Sequence, residues 1–534
     1  MTSPSASGRG GAITAPHHLA TEAGLAILAR GGNAIEATIA AGAVLAVVYP
    51  HMNAIGGDAF FTVAEASGAC FGLDGAGPSA AVCTPEAYRA RGFQAIPKRG
   101  PWAANTVAGM VSVWGAAYEH SRSRWGGTLS WAELLAPATK LAGDGFAANA
   151  GQGAAMRGHW AQLSQSETFV KNFAPGGRIP EKGDTLRQTA LAESLALLAH
   201  EGANGFYRGE LGRRIAAGLQ REGSPLDAGD LARFECRRVA QPAVRYRAGT
   251  LHNLPPPTVG ITSLTLLGIL DRFDLSGLEP MSAEFVHLHA EAAKLAHALR
   301  DRHLGDPDFV DVPVHRMLAP ATLDALAARI DRTRAAPFDD GPLPGDTVWF
   351  GVADAQGRSV SAIQSLCWEY GSGVMAGDTG IVWHNRGHGY TFEPGRANTL
   401  APGKRPSHTL NAPTWFGDDG SRIVFGTMGG EAQPQISAAV LTRAMDLGMP
   451  LADALAAPRW VLGRAWGDQS PTTLKLERRF PEATATGLRA LGHDVEWFDE
   501  WSDYMGHAGV IRIGADGAMD VGSDPRSDGA AGAL

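Results

Sequence analysis

The chain has 534 residues, 45% of them hydrophobic, with 46 basic against 54 acidic side chains and a formal net charge of −8. That size and apolar fraction suit a large core shared between layers, and the mild, dispersed acidity excludes nucleic acid or an anionic membrane as the main partner. No run approaches the roughly 18 apolar residues of a membrane span, and the start, MTSPSASGRGGAIT, has no apolar stretch after its charges, so the expectation is a cytoplasmic protein.

In chain order, residues 18 to 48 carry two amphipathic helical patterns broken by Gly31-Gly32-Asn33, a stop and turn. A glycine-bearing loop from Pro50 to Asp58 feeds predicted strands at Ala59 to Ala64 and Cys70 to Leu73. Helical patterns are predicted at Trp131 to Ala142, Arg187 to His200, Arg208 to Arg221, Ser263 to Phe273 and Ala283 to His303. Strand signals return at Val348 and recur at Arg422 to Gly426, Thr472 to Glu477, Asp494 to Phe498 and Ala508 to Ile513. Strands at both ends with helices between read as one α+β body rather than strict βαβ repetition. Cys70, Cys83, Cys236 and Cys367 show no CxxC spacing, which suits free thiols in a reducing compartment.

The most informative stretch runs from Ala335 to Gly373. A Pro/Gly/Asp-rich run, Ala335 to Asp346, reads as a linker that ends at a hairpin. In that hairpin Val348, Phe350 and Val352 alternate with Trp349, Gly351 and Ala353, a second alternating run covers Arg358 to Ser365, and Ala355-Gln356-Gly357 makes the loop. If Asp354 pairs with Arg358, the register places Thr347 opposite Ser365. Both hydroxyls then leave one face, and Val348, Phe350, Val352, Val360 and Ala362 form the apolar other face.

Competing chemistries lack their residues. No serine lies in a GxSxG context, no GxxxxGK[ST] occurs, and GSGVMAG (Gly371 to Gly377) has the wrong glycine spacing for a dinucleotide. His287 and His289 are two apart on a predicted helix and point apart, while His384 and His388 sit among loop glycines without a third ligand. Neither a metal nor a cofactor is expected.

The stretch from Thr347 to Asp354 resembles the opening motif of the gamma-glutamyltranspeptidase family, a branch of the N-terminal-nucleophile hydrolases made as one chain that cleaves itself before a Thr. The resemblance continues through Gly31-Gly32-Asn33-Ala34, Pro50-His51-Met52 to Gly56-Gly57-Asp58, LPPPTVG (Leu254 to Gly260), APGKRP (Ala401 to Pro406), Gly429-Gly430 and SDPRSDGAAG (Ser523 to Gly532). It implies a four-layer αββα sandwich and cleavage between Asp346 and Thr347. Residues 1–346 would form a large segment and 347–534 a small one, both within one body. It also implies Thr347 as nucleophile, its own freed α-amine as base, Ser365 as a second hydroxyl bonded to it, and Gly429-Gly430 as oxyanion hole.

Substrate contacts depart from the better-known transpeptidases. The family asparagine becomes Cys367, the glutamine becomes Arg386, and the aspartate that holds a glutamyl α-amino group becomes Gly389. The serine pair becomes His408-Thr409, and no arginine lies in Leu73 to Ser79, where the family's carboxylate-binding arginine is expected. Arg386 offers a planar fork for a carboxylate in place of the missing charge, with a surface ion pair as the plain alternative. Lys404 and Arg405 read as structural. The leading expectation is a self-processing amidohydrolase or acyltransferase acting on a small-molecule gamma-glutamyl amide. Oxamate amidohydrolase or glutaryl and cephalosporin acylase activity is the alternative within the family, and a non-catalytic scaffold is the alternative of another class. A homo-oligomer remains open.

Overall fold

The computed structural model describes residues 3–338, 346–465 and 469–534, so part of the expected linker, residues 339–345, lies outside the described residues. Two seven-stranded antiparallel sheets stack face to face. The first runs in the order Ala530–Ala533, Gly11–Ala15, Asp346–Asp354, Ser359–Cys367, Asp58–Ala64, Cys70–Asp74, Arg237–Val239. The second runs Ser5–Gly8, Met519–Ser523, Ala508–Ile513, Arg422–Thr427, Thr414–Gly417, Gly249–His252, Ala243–Arg245. Helices His18–Ala29, Ala34–Val48 and Met110–Arg124 cover the outside of the first sheet, and Gly260–Leu270, Ala283–His303 and Gln433–Met445 cover the second. This is the four-layer αββα sandwich of N-terminal-nucleophile hydrolases, with Phe60, Trp349, Ile363, Val424 and Ile511 packed between the sheets.

The hairpin forms as its pattern dictates. Val348 to Ala353 pair with Gln364 to Ser359, the Asp354 N–H donates to the Arg358 carbonyl at 3.0 Å, and Gly357 takes a φ of 74° in the loop. Val348, Phe350, Val352, Val360 and Ala362 enter the helix-covered core. The opposite face is not left to hydroxyls alone, because Trp349, Ala353 and Ile363 fill the space between the sheets. Asp354 locks the turn to the helix behind it: its carboxylate accepts the N–H groups of Ala34, Gln356 and Arg358 at 3.0–3.1 Å and pairs with Arg358 Nε at 2.7 Å. A carboxylate at a helix start is also favoured by the helix dipole.

Other expectations need adjusting. Helix Ala34–Val48 starts at an Asn33–Glu36 capping box as the break at Gly31 to Asn33 requires, yet all its residues are buried, so it is not amphipathic. Gly209 splits the expected Arg208 to Arg221 helix into Gly205–Arg208 and Glu210–Arg221. The helix expected at Ser263 to Phe273 starts at Gly260, where the Thr258 hydroxyl accepts the Gly260 N–H at 3.1 Å. Leu474–Glu477 and Val495–Phe498 join Trp460–Leu462 in a separate three-stranded sheet. The linker is shorter than expected at both ends, since the Ala336 N–H donates to Glu291 Oε2 at 3.1 Å and Asp346 already lies in a strand. Among the described residues no helix is long and apolar enough to cross a membrane.

Candidate active site

Thr347 is fully buried near the start of its strand, at a register shift. Val348 faces Gln364 while Asp346 faces Cys367, so Thr347 stands opposite the Ser365–Leu366 step rather than one partner. Such a bulge bends the strand and re-aims the side chain at that point. Ser365 Oγ accepts the Cys367 N–H at 2.7 Å. Cys367 itself is buried with a φ of 79°, left-handed for a non-glycine residue, a strain of the kind that concentrates at functional sites.

Across the next strand, Ser365 pairs with Asp58, which the sequence reading left without a role. Ser365 and Asp58 therefore share the face between the sheets, and Thr347 lies on the neighbouring strand beside the Ser365–Leu366 step. Asp58 Oδ2 lies 3.0 Å from His408 Nε2 and 3.5 Å from His384 Nδ1, and Oδ1 accepts the Gly109 N–H at 3.0 Å. Burial pushes the Asp58 carboxyl well above the usual range, against the pull of the Gly109 N–H and of the nearby Arg386 guanidinium. Burial likewise holds His408 well below its ordinary value, with Arg386 adding repulsion, and lowers His384 to about 3.

Arg386 is no surface ion pair. It is 2% exposed, and its Nη1 donates to Thr409 Oγ1 at 3.2 Å. It opens the short 3-10 turn Arg386–Gly389, and Gly389 lines a cavity of about 450 Å³ together with Arg300, Asn398 and Ser407. His408 packs edge-on to Phe60 at 4.6 Å between ring centres. Arg405 pairs with Asp74 at 2.8 Å and with Asp306, and Lys404 Nζ donates to the Ala397 and Thr399 carbonyls, so both residues are structural.

From the second sheet, strand Arg422–Thr427 runs into Gly429 and Gly430, with φ of 132° and 52°. Side chains other than glycine rarely adopt these angles. The glycines open the turn Gly430–Ala432, which leads straight into helix Gln433–Met445 and places both at a helix entry, where backbone N–H groups favour negative charge. The structure thus joins Thr347, Ser365 and Cys367 on one hairpin and Arg386, His408 and Thr409 around Asp58. Gly429 and Gly430 arrive from the facing sheet. Asp58 and His384 were missed because their partners lie hundreds of residues away. The one local signal was an acid directly after Gly56-Gly57 at a strand start.

Residues 20–534 match the family model for gamma-glutamyltranspeptidase. The chain is 46% identical to the oxamate amidohydrolase proenzyme of Klebsiella pneumoniae over 98% of both chains. It is 29% identical to the glutathione hydrolase proenzyme of Escherichia coli, over 97% of this chain and 90% of that one. The crystal structure of cephalosporin acylase from Bacillus halodurans superposes with a TM-score of 0.91 at 30% identity, covering 99% of this chain and 97% of that one. The chain belongs to the gamma-glutamyltranspeptidase family and is an amidohydrolase of the N-terminal-nucleophile type.

Proposed function

We propose that this enzyme cleaves its own chain at Asp346–Thr347 and then hydrolyses amides of small dicarboxylic acids, oxamate first among them. One observation carries the choice of substrate. Arg386 is buried against Thr409 beside Asp58, and by the family resemblance Gly389 takes the place of the aspartate that would hold a glutamyl α-amino group. The Arg386 guanidinium thus offers a buried planar fork for an anionic acyl group. A relative of 46% identity that is an oxamate amidohydrolase supports the same reading over the gamma-glutamyl expectation.

In the proposed reaction the freed Thr347 α-amine, with an ordinary pKa of about 7.7–8.0, takes the proton from Oγ1 as that oxygen attacks the amide carbon. The tetrahedral oxyanion is held by the N–H groups of Gly429 and Gly430. Its collapse returns the proton to the leaving nitrogen and expels ammonia or an amine. Water, deprotonated by the same amine, then attacks the ester at Thr347 and releases the dicarboxylic acid.

The test compares kcat/KM for oxamate, a glutaryl amide, a gamma-glutamyl anilide and a neutral ester-capped amide in wild type and Arg386→Ala. A charge-assisted hydrogen bond contributes about 1.5–3 kcal/mol, so the variant should lose roughly 10- to 150-fold on the dicarboxylic amides and little on the capped one. The small chain should begin at Thr347, and Thr347→Ala should stay a single, inactive chain. A wild-type preference for the gamma-glutamyl donor, untouched by Arg386→Ala, would refute the substrate assignment.

A further inference from the structure

Helix Ala283–His303 carries His287 and Glu291 one turn apart, so both leave the same face. His493 meets them from another helix end: helix Glu482–Ala490 stops at Gly492, whose φ is 100°, and the His493 N–H closes that end on the Leu488 carbonyl at 3.0 Å. The three side chains are buried, and one ligand atom from each lies within 4.8 Å of the others. His287 Nδ1 is 2.8 Å from His493 Nε2, and Glu291 Oε1 is 4.0 Å from the same nitrogen. The other ring nitrogen of His287, Nε2, donates to the Asp331 carbonyl at 2.8 Å, which leaves Nδ1 with its lone pair turned to the cluster. His289 turns away and donates to the Phe285 carbonyl at 2.8 Å. The sequence pattern could not show this grouping, because His493 lies 206 residues from His287.

We propose that His287, Glu291 and His493 form a binding site for a divalent ion that favours imidazole, Zn²⁺ first, with a structural role outside the proposed reaction. Two imidazoles and a carboxylate suit zinc in kind and number. Bonds of about 2.0–2.1 Å in a tetrahedron put ligand atoms about 3.3 Å apart, so the two nitrogens must part by about 0.5 Å and Glu291 Oε1 must close on His493 by about 0.7 Å. The proton between the rings moves from His493 Nε2 to Nδ1 of the same ring, so both facing nitrogens present lone pairs and no proton is lost. Lys294 Nζ holds Glu291 Oε1 at 2.6 Å and the Ala336 N–H holds Oε2 at 3.1 Å. A carboxylate has about four acceptor positions, so these two leave room for the ion. The ammonium still opposes a second cation, which makes Lys294 the residue that sets affinity. His287 and Glu291 precede Thr347 and His493 follows it, so the ion joins the two chains that the proposed cleavage makes. That consequence rests on the proposed cleavage; the site does not.

Chelator-stripped wild type, Thr347→Ala, His287→Gln, His493→Gln and Lys294→Met are titrated with Co²⁺ and then with Zn²⁺. Wild type and Thr347→Ala should each bind one Co²⁺ per copy of the sequence with the intense visible band of a four-coordinate ion, and Zn²⁺ should displace it. Either histidine variant should lose at least roughly 100-fold in affinity, the upper end of what loss of a mere supporting contact costs. Lys294→Met should bind at least about tenfold tighter. Zn²⁺ should raise the urea midpoint of wild type and not of the histidine variants, without changing kcat per Thr347 site titrated by an electrophile. If His287→Gln does not fold, His493→Gln, at 6% exposed nearer the surface, carries the test together with the wild-type spectrum. A spectrum of the hydrated six-coordinate ion overturns the proposal, as does equal binding in wild type and both histidine variants, or weaker binding in Lys294→Met. A wild type that stays a single chain and still binds the ion refutes only the cleavage.

Discussion

Gly426→Ala tests how the two sheets hold Thr347, the proposed nucleophile. The Trp349 indole lies two residues from Thr347 in a slot of glycines. A β-carbon at Gly426 would stand 2.4 Å from its Cδ1 and Nε1, and one at Gly509, the cross-strand partner of Gly426, would stand 2.6 Å from Cζ3. Ordinary contact begins near 3.4 Å, so the indole must retreat by about 1 Å from Gly426, although its Nε1 is tied to Ser361 Oγ at 3.0 Å. Overpacking of this size costs about 1–3 kcal/mol. The retreat also pulls on the strand that carries Thr347, and a misplacement of about 1 Å is worth on the order of 100-fold in rate. The assay is kcat per titrated site together with the urea midpoint, for Gly426→Ala, Trp349→Phe and the double variant. The smaller ring should relieve the clash, so the double variant should be faster and more stable than Gly426→Ala, a coupling that independent sites would not show. Wild-type kcat in Gly426→Ala with a lowered midpoint would mean that the slot supports the fold and not the nucleophile.

Three further outcomes are expected. Since the base must be unprotonated, kcat/KM should rise with pH to a plateau through an apparent pKa of about 7–8. Neither His384, held near 3, nor His408 should add a limb between pH 5 and 9, and a limb abolished by His384→Gln would refute this. Burial also holds His289 at about 3, so its stabilising share is present above the unfolded value of about 6.5 and is lost as pH falls below it toward 3. Between pH 7.5 and 5.5 the wild type should therefore lose about 1.4 kcal/mol more than His289→Gln, and a constant gap in urea midpoints would contradict that. Chelators should leave kcat unchanged, whereas loss and recovery with one added metal would call for a metal-based mechanism.

Where the pattern is local, the sequence was legible. The hairpin was readable because a period of two, a glycine turn and the Asp354–Arg358 pair are all contained within twenty residues. Its bulge at Thr347 was not, since an extra residue in the ladder leaves no mark on the alternation until the partner strand is known. Helices Ala34–Val48 and Gly260–Leu270 are buried on every side, so the apolar stripe that would mark their faces and ends is missing. The Asp58 cluster was illegible for a different reason. His408 and Asp58 are 350 residues apart, and only the pairing of Asp58–Ala64 with Ser359–Cys367 brings that acid beside Ser365.

The division between legible and illegible residues follows how the site is built. Nucleophile placement depends on strand register, and the Gly429 and Gly430 N–H groups on backbone angles that only glycine adopts readily, so these parts leave fixed residue types in the chain. In the proposed function recognition falls to Arg386 with Thr409, His408 and Asp58 around it, side chains drawn from three separate segments, the titration of Asp58 and His408 being set by burial and by Arg386. Exchanging glutamyl for a simple dicarboxylic acyl group then requires changes such as Gly389 and Arg386 that leave the reacting atoms where they are. On this reasoning a change at Arg386 should alter which amide is cleaved, while a change at Gly426 should slow every amide alike. A Gly426→Ala enzyme slowed on oxamate but not on the capped amide would break that division.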